Sequence, residues 1–296
     1  MIPRRLLLPA AAALAAAPRL TRAGLPRRII SIGGALTETV FALGAGDRVV
    51  AVDSTSRHPA PAAALPRVGY MRALPTEGIV SLAPDLLLLS GDAGPREVVA
   101  VLRAARLPLV VVEDGAGPGA PAAKARAVAR TLGLDGTALA AALEEDWMAL
   151  DAPLARRAGR PPRVLFVLSL ARGAPLVSGR GTHADAMIAA AGGENPVHSY
   201  EGFRPLSAEA AASLAPDVIL LMDHALREAG GLDAALRVPA LAVTPAAAAR
   251  RVIAMDGPYL LNFGPRAAHA RRDLARALHP GLYLPSLPER PWTAAA

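Results

Sequence analysis

Glu77-Gly-Ile-Val-Ser81-Leu82-Ala83-Pro84-Asp85-Leu-Leu-Leu-Leu89 and Glu209-Ala-Ala-Ala-Ser213-Leu214-Ala215-Pro216-Asp217-Val-Ile-Leu-Leu221 carry the same pentapeptide behind the same glutamate, 132 residues apart. Each copy reads as a short helix starting near the Glu, a Pro-Asp turn and a buried apolar strand. A unit repeated at half-chain distance predicts two similar lobes with a cleft between them, where small ligands usually bind. Chance is the competing reading, because Ser, Leu, Ala and Pro are abundant here. Five identities, the matched Glu and the matched strand weigh against it.

Outward from the first copy, strands and helices alternate. Strands are predicted at Arg28–Ile32, Val49–Val52, Leu86–Leu89 and Leu109–Val112, and helices at Leu36–Leu43, from Glu77, and at Val98–Arg106. Asp53–Tyr70 is a Pro- and Ser-rich loop. This alternation predicts an α/β fold with a mostly parallel sheet in each lobe. The pattern gives a first lobe over 27–136, a long interlobe helix over 137–160 with a kink at Pro153, and a second lobe over 161–284. The second lobe restarts at Arg163–Ser169 and closes with a helix over Ala267–Leu278. The tail, 285–296, is expected to be poorly ordered.

Residues 1–23 read as an export leader: Arg4 and Arg5, an apolar run from Leu6 to Ala17 too short to span a bilayer, then small residues. A buried N-terminal helix is the structural alternative. The Arg-Arg pair faintly resembles a twin-arginine signal, but an ordinary secretory leader fits better. Cleavage after Ala23 would remove four arginines and lower the net charge from +7 to +3. The basic balance is thus partly a leader effect and gives no case for a nucleic-acid partner. The chain has no cysteine, which excludes disulfides, thiolate metal sites and a lipidated N-terminal Cys. No other stretch has transmembrane length, so no stable membrane insertion is expected after the leader is removed.

Motifs for catalysis are missing. Gly33-Gly34 follows a strand, but the dinucleotide spacing is absent, and there is no P-loop, Gly-x-Ser-x-Gly elbow or His-Glu-x-x-His helix. The informative window is Pro66-Arg67-Val68-Gly69-Tyr70-Met71-Arg72. An arginine two residues from a tyrosine favours the phenolate by charge and hydrogen bonding, and a phenolate is a hard ligand suited to ferric iron, haem included. An ordinary loop tyrosine on the surface accounts for the same residues.

Four segments resemble the haem-binding periplasmic proteins of bacterial haem-import ABC transporters, within the cobalamin and ferric-siderophore class of substrate-binding proteins. They are Gly69–Ile79, Gly179–Ile188 with Ala191–Asn195 after it, Phe203–Glu209 and Ala254–Gly257, and the similarity runs from about Arg27 to Pro280. The resemblance implies two Rossmann-like α/β lobes joined by a rigid helix, with haem in the cleft as transported ligand. It implies Tyr70 as the haem-iron ligand, Arg72 as support for the phenolate, and Glu77 and Glu209 as docking residues for the inner-membrane permease. Each glutamate is also explained singly as an acid in a helix first turn.

Some such relatives carry a second axial histidine, but the matching strand end here is Leu168-Ser169-Leu170. His224, after the repeated strand, lies where relatives often place a basic residue near the haem. His183, His58 and His198 read as loop or helix-end residues, and His269 and His279 as surface positions. The reading is a periplasmic haem carrier with no chemistry of its own. A ferric-siderophore or cobalamin carrier of the same fold is the alternative, and an exported enzyme is the alternative from another class.

Overall fold

In the computed structural model, which describes residues 25–170 and 174–293, the first lobe contains β1 (Ile29–Ile32), α1 (Gly34–Ala42), β2 (Val49–Val52), α2 (Ala60–Ala63), α3 (Thr76–Ser81), β3 (Leu86–Ser90), α4 (Arg96–Ala104) and β4 (Leu109–Val112). The leader assigned to residues 1–23 lies outside the described residues. All four strands are parallel, in the order β2-β1-β3-β4. Core clusters lie on both faces of this sheet. That is why Ile29–Ile32 and Leu86–Leu89 are unbroken buried runs rather than alternating ones.

The chain crosses between lobes in α5 (Ala120–Leu132), α6 (Thr137–Met148) and α7 (Asp151–Ala155). The stretch 137–160, expected as one long helix, is therefore two helices. A continuous helix would need an N–H at Pro153 and room beside the Ala149 carbonyl, and proline supplies neither. Restarting at Asp151 puts Pro153 in a first turn, where no N–H is required. The pair still ties the lobes together. Leu139, Ala140 and Leu143 pack with Ala42 and Leu43 of the first lobe, while Trp147, Leu150 and Leu154 belong to the core of the second.

The second lobe contains β5 (Val164–Ser169), β6 (Leu176–Ser178), α8 (His183–Ala190), β7 (Phe203–Pro205), α9 (Ala208–Leu214), β8 (Val218–Met222), α10 (Asp223–Glu228), β9 (Val252–Met255) and the closing helix Ala267–Leu278. Its sheet order is β7-β6-β5-β8-β9. β5, β8 and β9 run parallel, and β6 alone is reversed, antiparallel to both β5 and β7, so four of the five strands share one direction and this sheet too is mostly parallel.

The repeated pentapeptide stops a helix and starts a strand in both lobes. Ala83 and Ala215 adopt left-handed φ values of 44° and 40°, which ends α3 and α9. The aspartate that follows then anchors the incoming strand of its own lobe. Asp85 accepts from the Arg27 and Arg28 backbone N–H groups at 2.8 Å each. Asp217 accepts from the Arg163 N–H at 2.8 Å and from the Arg160 guanidinium at 2.7 and 2.8 Å. The motif is thus a structural joint, which explains its recurrence at the same place in two sheets.

The tail corrects its expectation of disorder over the part described. Leu287 is buried in the second-lobe core. Arg290 reaches Asp146 at 2.8 Å and Glu145 at 3.0 Å on α6. Trp292 packs against the α5–α6 cluster, and its carbonyl meets His58 Nε2 at 3.1 Å. A charged fork and an aromatic ring fix what position at the chain end alone would leave loose.

Candidate functional site

In α/β folds the ligand crevice usually lies outside the carboxyl ends of the strands, and in this chain the segment leaving the carboxyl end of β1 meets the second lobe. Gly33 and Gly34 leave β1 there. A Cβ on Gly34 would lie 2.6 Å from Asn262 Nδ2 of the second lobe and 2.9 Å from the Thr55 carbonyl. Gly34 is where the lobes close together, which gives the glycine pair a packing role in place of a nucleotide-binding one.

Asp53, at the end of β2, organises the loop that carries Tyr70. Its fully buried carboxylate accepts from Gly33 N–H at 2.9 Å, Thr55 N–H at 2.9 Å and Ser56 Oγ at 2.7 Å. The returning strand segment is pinned by Ser54 N–H to the Gly69 carbonyl at 2.7 Å. Gly69 has φ +102°, and a Cβ there would crowd Pro75. That corner starts a tight turn, closed by Ala73 N–H donating to the Tyr70 carbonyl at 2.8 Å. Two further bonds, Gly94 N–H to Met71 carbonyl and Leu74 N–H to Gly94 carbonyl, hold the turn against the loop after β3. Tyr70 stands on this braced turn and is 47% exposed. No described residue hydrogen-bonds to its hydroxyl.

Arg72 is exposed on the same turn, and its Nη2 donates to Asp92 Oδ2 at 2.7 Å. Sequence reasoning overlooked Asp92, which lies in a different motif-free turn. His224 sits half-buried in the first turn of α10, on the other lobe. No hydrogen bond joins it to Tyr70 among the described residues. Glu77 and Glu209 are exposed in the first turns of α3 and α9. Neither makes an ion pair among the described residues. No group of three or more His, Asp or Glu side chains among those residues could hold a bare metal ion.

A periplasmic binding protein family model matches residues 29–259. The chain belongs to that family. Among solved structures, this periplasmic binding protein is 42% identical to the periplasmic haem-binding protein BhuT in complex with two haems, with a TM-score of 0.81 over 86% of this chain and 99% of that one. It is 44% identical to the periplasmic haem-binding protein RhuT from Roseiflexus sp. RS-1, with a TM-score of 0.82 over 86% and 98% of the two chains. A periplasmic haem-binding protein from Pseudomonas aeruginosa is 32% identical, with a TM-score of 0.81 over 88% and 96%. Among curated relatives, vitamin B12-binding proteins of Pectobacterium carotovorum and Yersinia pestis are 32% and 35% identical over 30% and 34% of this chain. Those matches span about a third of the relatives' own length, 32% and 37%. No described helix is long and apolar enough to cross a membrane.

A polar seam runs between the lobes of this binding protein. Lys124, the only lysine, is buried and donates to Asp114 at 2.6 Å and to the Asn262 carbonyl of the other lobe at 2.8 Å. Ser90 Oγ also donates to Asp114, and His183 Nε2 lies 3.4 Å from the Asp114 carbonyl. Burial pushes the Asp114 carboxyl up, but Lys124, the Ser90 hydroxyl and His183 together outweigh it and hold the group below its ordinary range. A lone lysine in an arginine-rich chain was the one sequence signal for this seam. His183 is therefore a seam residue. His198 pairs with Glu194 at 3.6 Å on the surface. His269 and His279 are half-buried rather than surface residues, and burial lowers both imidazoles. His279 Nε2 meets the Ala191 carbonyl at 3.2 Å.

Proposed function

We propose that this chain is a periplasmic carrier that binds ferric haem in the interlobe cleft and delivers it to an inner-membrane ABC importer. The observation that carries the reading is Tyr70: an exposed phenol with no partner among the described residues, on a turn braced by its own backbone, in a chain whose neighbours over nearly their whole length are haem-binding proteins. Tyr70 supplies the iron ligand and Arg72 the charge that supports its phenolate. His224 faces the ligand from the second lobe. Glu77 and Glu209 seat the carrier on basic residues of the permease. The protein does no chemistry on its cargo, a reading supported by its membership of a family of binding proteins.

A cobalamin carrier is the second reading, favoured by the names of the curated relatives. Their similarity covers only a third of each protein, whereas the haem-binding structures match over almost all of theirs. Titration of the mature protein with ferric haem, cyanocobalamin and a ferric siderophore separates the readings. Saturable binding of haem alone is expected. Binding of cyanocobalamin or the siderophore with no response to haem would overturn the proposal.

A further inference from the structure

Arg72 is already engaged. Its ion pair with Asp92 joins the Tyr70 turn to the loop after β3. Two backbone bonds from Gly94 hold those segments together without it, so the pair is not needed to place Tyr70. Both side chains are about half exposed, 58% and 48%, and exposed pairs of this kind are weak and readily exchanged. The Asp92 backbone is steadier. Its N–H donates to Ser90 Oγ at 3.4 Å, and that hydroxyl is bound in turn to Asp114 of the interlobe seam. A carboxylate on the loop after β3 thus holds a movable guanidinium on the same turn as the exposed phenol.

We propose that Asp92 is the resting counter-ion of Arg72, and that haem binding draws the guanidinium from Asp92 toward Tyr70. Asp92 then sets how firmly the carrier grips its cargo. The inference rests on the reading of Tyr70 as iron ligand. When the phenol oxygen bonds to ferric iron, its proton passes to solvent and the remaining negative charge calls for a cation. Arg72 is the cation on that turn, and Asp92 competes for it. Competition for one guanidinium weakens ligation. That suits a carrier, which must let go at the permease as well as capture.

The test is the rate of haem transfer from loaded protein to excess apomyoglobin. Asp92→Asn should release haem about three- to fivefold more slowly than wild type, the range a single exposed pair supports. Asp92→Glu should restore release close to wild type. In an Arg72→Ala background, Asp92→Asn should have no further effect, because the two residues act through one interaction. Unchanged or faster release from Asp92→Asn overturns the inference, as does an equal effect with Arg72 absent. Tyr70→Phe separates the two layers. If it leaves the haem spectrum unaltered, the ligand reading itself fails. A Tyr70-dependent spectrum with release indifferent to Asp92→Asn rejects the Asp92 role alone.

Discussion

Arg266 forks onto Glu38 from the opposite lobe, with Nε and Nη2 2.9 and 2.7 Å from the two carboxylate oxygens. Both side chains are well buried, Glu38 to 5% and Arg266 to 18% exposure. The clasp joins the second lobe to α1 of the first. Glu38→Gln would leave the guanidinium without its counter-charge, and losing one partner of a buried pair costs about 3 kcal/mol. Urea unfolding should show a clearly lowered midpoint. An unchanged midpoint would contradict the clasp.

Asp114 makes the seam acid-sensitive. Its carboxyl is raised by burial but lowered further by Lys124, Ser90 and His183, for a net shift below the ordinary 3.8. A carboxyl lowered by folding stabilises the fold above its unfolded value, and that contribution is lost as pH falls through the folded value. The stability advantage of wild type over Asp114→Asn should be complete at neutral pH and shrink below pH 3.8. Chemical denaturation across acid pH checks this, and an advantage constant into strong acid would contradict it.

The tail clamp gives a third prediction. Arg290 satisfies Asp146, whose side chain is 2% exposed. Arg290→Ala strands that carboxylate and should destabilise the protein by about 2 kcal/mol, read as a fall in thermal midpoint. A variant as stable as wild type would show that the tail is only laid on the surface.

These contacts mark what could and could not be read from the chain. The pentapeptide announced the two lobes because helix stop, strand start and anchoring aspartate are all local to it. Tyr70 and Arg72 stood out as a candidate pair for the same reason, being two residues apart. The seam and the clasp were not. Glu38 and Arg266 are 228 residues apart, and no spacing rule links partners that only the folded lobes bring together. Asp92 was invisible as the partner of Arg72 because its turn has no motif. The tail was misjudged because position at the chain end argued for disorder, while Arg290 and Trp292 find their partners only in three dimensions. The helix break was misjudged although Pro153 was seen, because the Ala-rich periodicity around it masked the need for a first turn.

Glu77 and Glu209 should matter for delivery and not for binding. Each lies exposed in a helix first turn, one in each lobe, and rim charges govern encounter and register more than affinity. Glu77→Arg combined with Glu209→Arg should abolish haem uptake into vesicles carrying the cognate importer, with haem binding unchanged. Normal uptake by the double variant would reject docking, and lost binding would place one glutamate in the ligand site.

The central claim is that Tyr70 holds the iron of ferric haem, and the absorption spectrum of the purified mature protein on titration with haem tests it most directly. A tyrosinate-type ferric spectrum is predicted for wild type, with Tyr70→Phe losing that spectrum and most of the affinity while unfolding at the same denaturant concentration. An identical spectrum and affinity in Tyr70→Phe would contradict the account.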